Sequence, residues 1–226
     1  MLGITTPLLI KYKAAMRDLF IDEVGLNWVT PLPEEYKNIW KAYIRELVEA
    51  GQFEYRRCVR PVGRVKQFWL VVFFDGSDQA YAAAVYCRWE MEIGEVVVRL
   101  LCSKARTVPL LRISTPRCEL CGAVLAVRLV WTVIQALEME EKPTRILIGG
   151  DSETVLAARE KAAGVLGEYF GNRVGECWDL QGHIEEIVPV GIVGQGEWYH
   201  MPSDDNAADS LICLLYTSPS PRDTVR

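Results

Sequence analysis

A near-continuous apolar run, KQFWLVVFFDGS at residues 66–77, constrains this chain more than any other feature of its sequence. Its β-branched and aromatic content and its Asp-Gly-Ser end predict a strand that closes in a turn. Asp75 ends the strand inside this run, where a charged group is costly unless something compensates for it. Asp75 is therefore either the first residue of the turn or an acid with a functional role.

Two strand candidates follow, QAYAAAVYCRWE and GEVVVRLLCSKA, and three strands in series suggest a meander. The apolar stretch from Thr115 to Leu137 has Pro116 in its first turn, and its length favours a helix. After it we predict a buried strand (RILIGGD), two helices (DSETVLAAREKA and EYFGNRVGECWDL), a final strand (GEWYHMP) and a short helix opening near Asp204 to Asn206. These elements predict an α/β domain over residues 66–212, a mixed sheet flanked by helices.

Residues 1–65 have a different pattern, with apolar positions at helical spacing around Leu8 to Phe20 and again in EEYKNIWKAYIRELVEAG. Pro31 and Pro33 precede the second helix, and Gly51 closes it. We interpret this part as a small helical connection segment that docks onto a larger protein.

Composition limits the compartment and the partners. Half of the residues are hydrophobic, so a packed core is expected, and no signal peptide or membrane span fits the sequence, which predicts a soluble intracellular protein with no membrane partner. The seven cysteines are scattered through strand-like and helix-like runs, as is usual for reduced thiols. The net charge of −5 lowers the expected affinity for nucleic acid without excluding it.

The last residues, 213–226, break every pattern before them. They match the translation of a common sequencing adapter, so we expect a non-native tail and leave it out of the fold. We also expect the chain to be a fragment at its start, because Met1 opens into what looks like the interior of a polyprotein.

Four acids stand where they can converge: Asp75 and Asp151 directly follow strands, Glu119 lies one turn into the long helix, and Asp209 lies in the last helix. Together they would repel one another, and a pair of divalent cations is the usual way to hold such a group. Each acid also has an ordinary structural explanation, as a turn residue, a helix cap, a first-turn acid or a solvated side chain. Their joint order favours the metal site.

Six ordered blocks of the sequence resemble the C-terminal reverse transcriptase region of BEL/Pao-type retrotransposons. They are GLNWVTPLPEE with Trp40 downstream, FFDGSDQAYAAAVY, VRLLCSKARTVPLLRISTPRCELCGAVLAVRL, GGDSETVLA, YFGNRVGEC and WYHMPSDDNAAD, and they span nearly all of residues 1–212. The sequence departs from the family pattern at Gly150, where a polar residue is usual, and after Asp209, where basic residues are usual.

The resemblance implies a ribonuclease H-like fold that hydrolyses the RNA strand of an RNA–DNA hybrid, with Asp75, Glu119, Asp151 and Asp209 holding two Mg²⁺ ions, or Mn²⁺ in their place. Asp75 would bridge the two ions. Three basic side chains are candidate contacts to backbone phosphate, or else solvated charges: Lys104 and Arg106, expected in a basic loop of CSKART, and Arg117. The remaining partner would be the rest of the reverse transcriptase polyprotein, in a cytoplasmic virus-like particle.

Other chemistries have weaker support. The same retroelement region carries a peptidase label, but Asp75-Gly76-Ser77 has the wrong order for an aspartic peptidase and no second copy exists. Cys118-x-x-Cys121 lacks a second ligand pair, so buried thiols are expected, and the glycine-rich GIVGQG at 191–196 does not lead into a helix. His200, in a predicted strand, is expected to be structural. A non-catalytic polymerase-docking module is the main alternative.

Overall fold

The computed structural model describes residues 3–20, 26–27, 29–52, 54, 58–109, 113–136, 142–188 and 198–212. Two helices come first, α1 (Thr6–Asp18) and α2 (Glu34–Ala50). The elements that follow are β1 (Val65–Gly76), β2 (Ala80–Met91), β3 (Val96–Thr107), α3 (Thr115–Ala136), β4 (Arg145–Gly150), α4 (Glu153–Arg159), α5 (Glu168–Ile187) and β5 (Trp198–His200). The predicted order of helices and strands is confirmed within these residues.

The five strands form one mixed sheet in the order β3-β2-β1-β4-β5. β1 pairs antiparallel with β2 and parallel with β4, and β5 continues the parallel half beside β4. β1 therefore lies at the centre, as its apolar run predicts. Because β1 and β4 are parallel, their carboxyl ends, at Gly76 and Gly150, meet at one edge of the sheet.

Alternation along β1 divides the sheet into two faces. Phe68, Leu70, Val72 and Phe74 point to one face and are at most 2% exposed, in the main core with α3 and α5. Asp75 follows in the opposite phase of the alternation. The other face holds a smaller cluster in which Ile10 of α1 packs with alanines of β2 and with Leu211 and Ile212.

The helix α3 is long and apolar enough by composition to cross a membrane, and it is the one such helix among the described residues. In its most apolar window 61% is buried within the protein, and its side chains pack against β1, β2 and α5. Its hydrophobicity is that of a core helix.

The N-terminal helices contact the sheet to different extents. In α1, Thr6 Oγ1 donates to the Ser103 carbonyl of β3 at 3.3 Å, and Arg17 Nη1 donates to the Gln79 carbonyl at 3.0 Å. In contrast, α2 buries none of its residues and meets α1 through Tyr12, whose hydroxyl donates to the Tyr43 carbonyl. The domain division at residue 65 stays a prediction. The helix α1 packs against β2 and β3 of the sheet.

Two sequence predictions are wrong in detail. The expected short helix after β5 is a pair of 3₁₀ turns, Ser203–Asp205 and Asp209–Leu211, because the Asn206 side chain between them accepts from the Ala208 amide at 3.1 Å and so competes with helical bonding. Lys104 and Arg106 were expected in a loop and lie within β3, whose pairing with β2 continues to Thr107. The segments 191–196 and 213–226 lie outside the described residues.

Candidate active site

Asp75 is the buried centre of the candidate site. It is the last residue but one of β1, it is 8% exposed, and its Oδ1 accepts from the Gly76 amide at 2.7 Å. Burial, and then the negative charges of Asp151 and Asp209, raise the pKa of Asp75 from 3.8 to about 7. The bond from the Gly76 amide therefore compensates for only part of the cost of a negative charge at this carboxyl.

Asp151 and Asp209 reach the same point from two different elements. Asp151 directly follows β4, so the parallel pairing with β1 brings it to the same sheet edge, where Ser203 Oγ donates to its Oδ2 at 2.7 Å. Asp209 begins a 3₁₀ turn, and its carboxyl group is close enough to that of Asp75 to contribute to the raised pKa of Asp75.

Asn206 holds the Asp209 turn in place, a role that the sequence did not reveal. Its side chain is 4% exposed, and its Nδ2 donates to the Phe74 carbonyl at 3.0 Å, one residue before Asp75. The spacing of Asn206, three residues before Asp209, is the signal that could have identified it.

Glu119 joins the site through a serine. It lies in the second turn of α3, and its Oε2 accepts from Ser152 Oγ at 2.6 Å. Ser152 is also the N-cap of α4, where its Oγ accepts from the Val155 amide at 3.2 Å. Ser152 follows Asp151 directly, so Glu119 is tied to the same edge as the aspartates.

Two glycines allow α3 to approach the end of β1. A Cβ built on Gly122 would lie 2.6 Å from the Asp75 carbonyl oxygen, and one built on Gly76 would lie 2.4 Å from the Glu119 amide nitrogen. No side chain fits at either position without a shift of the backbone. Neither glycine was predicted to have this role, although a small residue such as Gly122 in a core helix is the usual sign of close packing.

Close packing also explains why a glycine stands at position 150, where the family pattern usually has a polar residue. A Cβ there would lie 2.4 Å from the Phe74 ring. The bulky Phe74 of β1 thus occupies the space that a larger residue before Asp151 would need.

The four acids suit a divalent cation by their chemistry, since Mg²⁺ and Mn²⁺ prefer carboxylate oxygens. The raised pKa of Asp75 also indicates a place where a cation would be favourable. Within the described part of the chain, however, no three His, Cys, Asp or Glu side chains are already gathered as a metal-binding group. The donor set fits, while Glu119 and Asp151 are turned towards serine hydroxyls.

The predicted phosphate contacts lie in two places. Lys104 and Arg106 are exposed on β3, in register with Ala83 and Tyr81, on the sheet face opposite to Asp75. Arg117 is exposed at the start of α3. It is the one of the three that lies on the same element as an acid of the site, Glu119.

The remaining candidates give no second site. His200 lies in β5, as predicted, and its side chain is exposed, so it is not a core residue. Cys118 is fully buried, and burial raises its thiol pKa to about 11, as expected for a packing thiol. Cys121 Sγ lies 3.3 Å from Tyr169 Oη at hydrogen-bonding distance.

Comparison with protein families decides the relationship. The Pao retrotransposon-like RNaseH-like domain matches residues 1–149. The chain belongs to this family. The matched residues include β1 with Asp75 and α3 with Glu119, and they end just before Asp151. The mixed sheet with flanking helices agrees with an RNase H-like family. Membership in an RNase H-like family supports, at this coarse level, a nuclease.

Solved structures with similar folds have low identity to this Pao family member. The N-terminal RNase H domain of a Mycobacterium tuberculosis protein, solved as a fusion with maltose binding protein, is 14% identical over 66% of this chain and 94% of its own, with a TM-score of 0.43. LC11-RNase H1 in complex with an RNA/DNA hybrid is 15% identical over 65% and 94%, with a TM-score of 0.38. The prototype foamy virus protease-reverse transcriptase is 15% identical over 84% and 29%, with a TM-score of 0.38. No curated protein matches the chain.

Proposed function

We propose that this Pao family domain is a retrotransposon ribonuclease H that hydrolyses the RNA strand of RNA–DNA hybrids at the Asp75 edge of the sheet. The observation that carries the proposal is the convergence of Asp151 and Asp209 on Asp75, whose burial, and then the charges of these two neighbours, raise its pKa to about 7. Acids that repel one another at the carboxyl end of neighbouring strands are arranged for a cation and not for stability.

Each acid has a distinct part in this proposal. Asp75 is the central ligand because it is the most buried of the acids and contacts both other aspartates electrostatically. Asp151, Asp209 and Glu119 complete the donor set, and Ser203 and Ser152 orient two of them. Two bound Mg²⁺ ions would supply a water of lowered pKa and a stabilised leaving oxygen.

The substrate and the assembly follow from the same family. An RNA–DNA hybrid is the substrate, Lys104, Arg106 and Arg117 are contacts to its phosphates, and the rest of the reverse transcriptase polyprotein is the partner. The setting is a cytoplasmic virus-like particle. Family membership supports the hybrid substrate and the polymerase partner.

The test is cleavage of a labelled RNA–DNA hybrid by the full chain, with duplex DNA as the control substrate, in Mg²⁺ and in EDTA. Asp75→Asn keeps the size of the side chain and removes its charge, and Asp179→Asn makes the same change at an exposed position on α5. We expect metal-dependent cutting of the RNA strand by the wild type and by Asp179→Asn, with a loss of at least about 10²-fold in Asp75→Asn. Cutting that is equal in all three proteins, or absent from a folded wild type, would refute the proposal.

One observation favours the alternative of a non-catalytic module that docks on a polymerase. No described group of three metal-binding side chains is assembled as it stands. The same assay distinguishes the two functions, because a docking module cuts no hybrid in any metal.

A further inference from the structure

A stack of three side chains, Arg117, Tyr169 and Arg173, lies where α3 meets the first turns of α5. The Arg117 guanidinium carbon lies 4.5 Å from the centre of the Tyr169 ring, and that of Arg173 lies 3.6 Å from the same centre. Two cations thus share one aromatic ring, an arrangement in which each attracts the ring and repels the other cation.

The described part of the chain supplies no ion-pair partner for this stack. Among the described residues, neither Arg117 nor Arg173 has a carboxylate within ion-pair distance. Further along the same helix pair, Arg128 of α3 does pair with Glu176 of α5 through two nitrogens. The α3–α5 contact is therefore neutralised at one place and left doubly positive at the other.

The stack is held in a fixed geometry. Arg173 Nη1 donates to the Tyr169 carbonyl at 3.2 Å, and the Tyr169 hydroxyl lies 3.3 Å from Cys121 Sγ, one helical turn after Arg117. Burial raises the pKa of Tyr169 to about 12, so the phenol is neutral and supplies no counter-charge. Guanidinium groups that are already ordered lose little entropy when they bind an anion.

We propose that Arg117 and Arg173, on the Tyr169 ring, bind a backbone phosphate of the nucleic acid next to the carboxylate site. Guanidinium groups match phosphate oxygens in a bidentate manner. Arg117 lies in the first turn of α3 and Glu119 in the second, so the stack and the carboxylates lie near the same end of this helix. The inference rests on the proposed function for its substrate, and it adds Tyr169 and Arg173, on a different helix, to the binding surface.

Binding of a fluorescently labelled RNA–DNA hybrid to the full chain, followed by anisotropy over a range of salt concentrations in EDTA, tests this. Arg173→Gln removes one charge of the stack, and Arg64→Gln removes one exposed charge before β1, at the opposite end of that strand from Asp75. We expect Arg173→Gln to lower the affinity about tenfold and the slope of log K against log salt by about one. Arg64→Gln should change neither.

Arg117→Gln provides a second variant with the same expected losses, and thermal unfolding of each variant identifies one that fails to fold. Because phosphate is common to all nucleic acids, duplex DNA should show the same loss of slope. Wild-type affinity and slope in both folded variants would overturn the inference.

Cleavage by the same proteins in Mg²⁺ separates this inference from the proposed function. A chain that cuts the hybrid while both variants bind like the wild type overturns the phosphate site alone. A chain whose binding depends on both arginines and that cuts nothing overturns the nuclease alone.

Discussion

Ser152 Oγ donates a hydrogen bond to Glu119 Oε2 at 2.6 Å while it accepts one from the Val155 amide at 3.2 Å. One hydroxyl therefore caps α4 and fixes an acid of α3. Since Asp151 precedes Ser152, the start of α4 and the position of the carboxylates depend on the same residue.

We expect Ser152→Ala to lower the free energy of unfolding by about 2 kcal/mol, because it removes both a helix cap and a hydrogen bond to a charged group. Ser152→Thr retains the hydroxyl and should recover most of this loss. Denaturation by urea measures both variants. Equal stability of the alanine variant and the wild type would contradict the dual role.

Ser203 makes the corresponding bond to Asp151 from an exposed position and caps no helix. Ser203→Ala should change the free energy of unfolding by less than about 0.5 kcal/mol and lower hybrid cleavage about tenfold, since it frees an acid of the site. Ser210→Ala removes a serine hydroxyl that donates only to the Ala207 carbonyl. If both variants cut equally, Ser203 does not orient Asp151.

The raised pKa of Asp75 predicts how stability depends on pH in the absence of metal. Between the unfolded value of 3.8 and the folded value of about 7, the folded state holds more protons than the unfolded state, so stability falls as the pH rises through this window. Asp75→Asn should remove this component and be more stable than the wild type above pH 7, by roughly 2 to 4 kcal/mol. Thermal unfolding from acid to neutral pH measures it.

Asp179→Asn, at an exposed position, is the control and should follow the wild type at each pH. Addition of Mg²⁺ should stabilise the wild type near pH 8 more than near pH 5, where protons compete for Asp75, and should not stabilise Asp75→Asn. A wild type whose stability does not change with pH or Mg²⁺ would be inconsistent with a repulsive acid cluster.

Gly122→Ala places a methyl group 2.6 Å from the Asp75 carbonyl oxygen, a backbone atom that cannot move alone. We expect a loss of about 1 to 3 kcal/mol in the free energy of unfolding, although alanine favours helices. Gly175→Ala, in α5, puts its methyl 3.9 Å from Ala163 Cβ and should be neutral or slightly stabilising. The difference between the two variants, measured by urea denaturation, reports on the α3–β1 approach.

Arg159 is buried between two indoles, with its guanidinium carbon 4.9 Å from the Trp178 ring and 4.4 Å from the Trp198 ring. Nη2 donates to Gln181 Oε1 at 3.1 Å. Arg159→Ala should cost about 2 to 4 kcal/mol through the cavity and the lost ring contacts, and Arg159→Met, which fills the space, should cost less. Equal losses in a urea titration would mean that packing contributes little.

Much of the fold could be read from local patterns. The apolar run of β1, the length of α3 and the strand RILIGG each carry their own periodicity, and the structure places them as predicted. The turns after β5 were misjudged because the Asn206 side chain accepts from the Ala208 amide in place of helical bonding, and it is held there by its bond to the distant Phe74 carbonyl, a contact that no local pattern contains.

The sequence alone predicted the four acids, because each was expected to follow a strand or to lie on a helix, and it identified the retrotransposon family through ordered motifs. The tertiary structure decided which groups act on those acids. Ser152 and Ser203 reach Glu119 and Asp151 across 33 and 52 residues, and Gly122 meets Asp75 across two elements. Such contacts depend on the parallel pairing of β1 with β4 and on the packing of α3, and long-range packing leaves no periodic signal in a sequence.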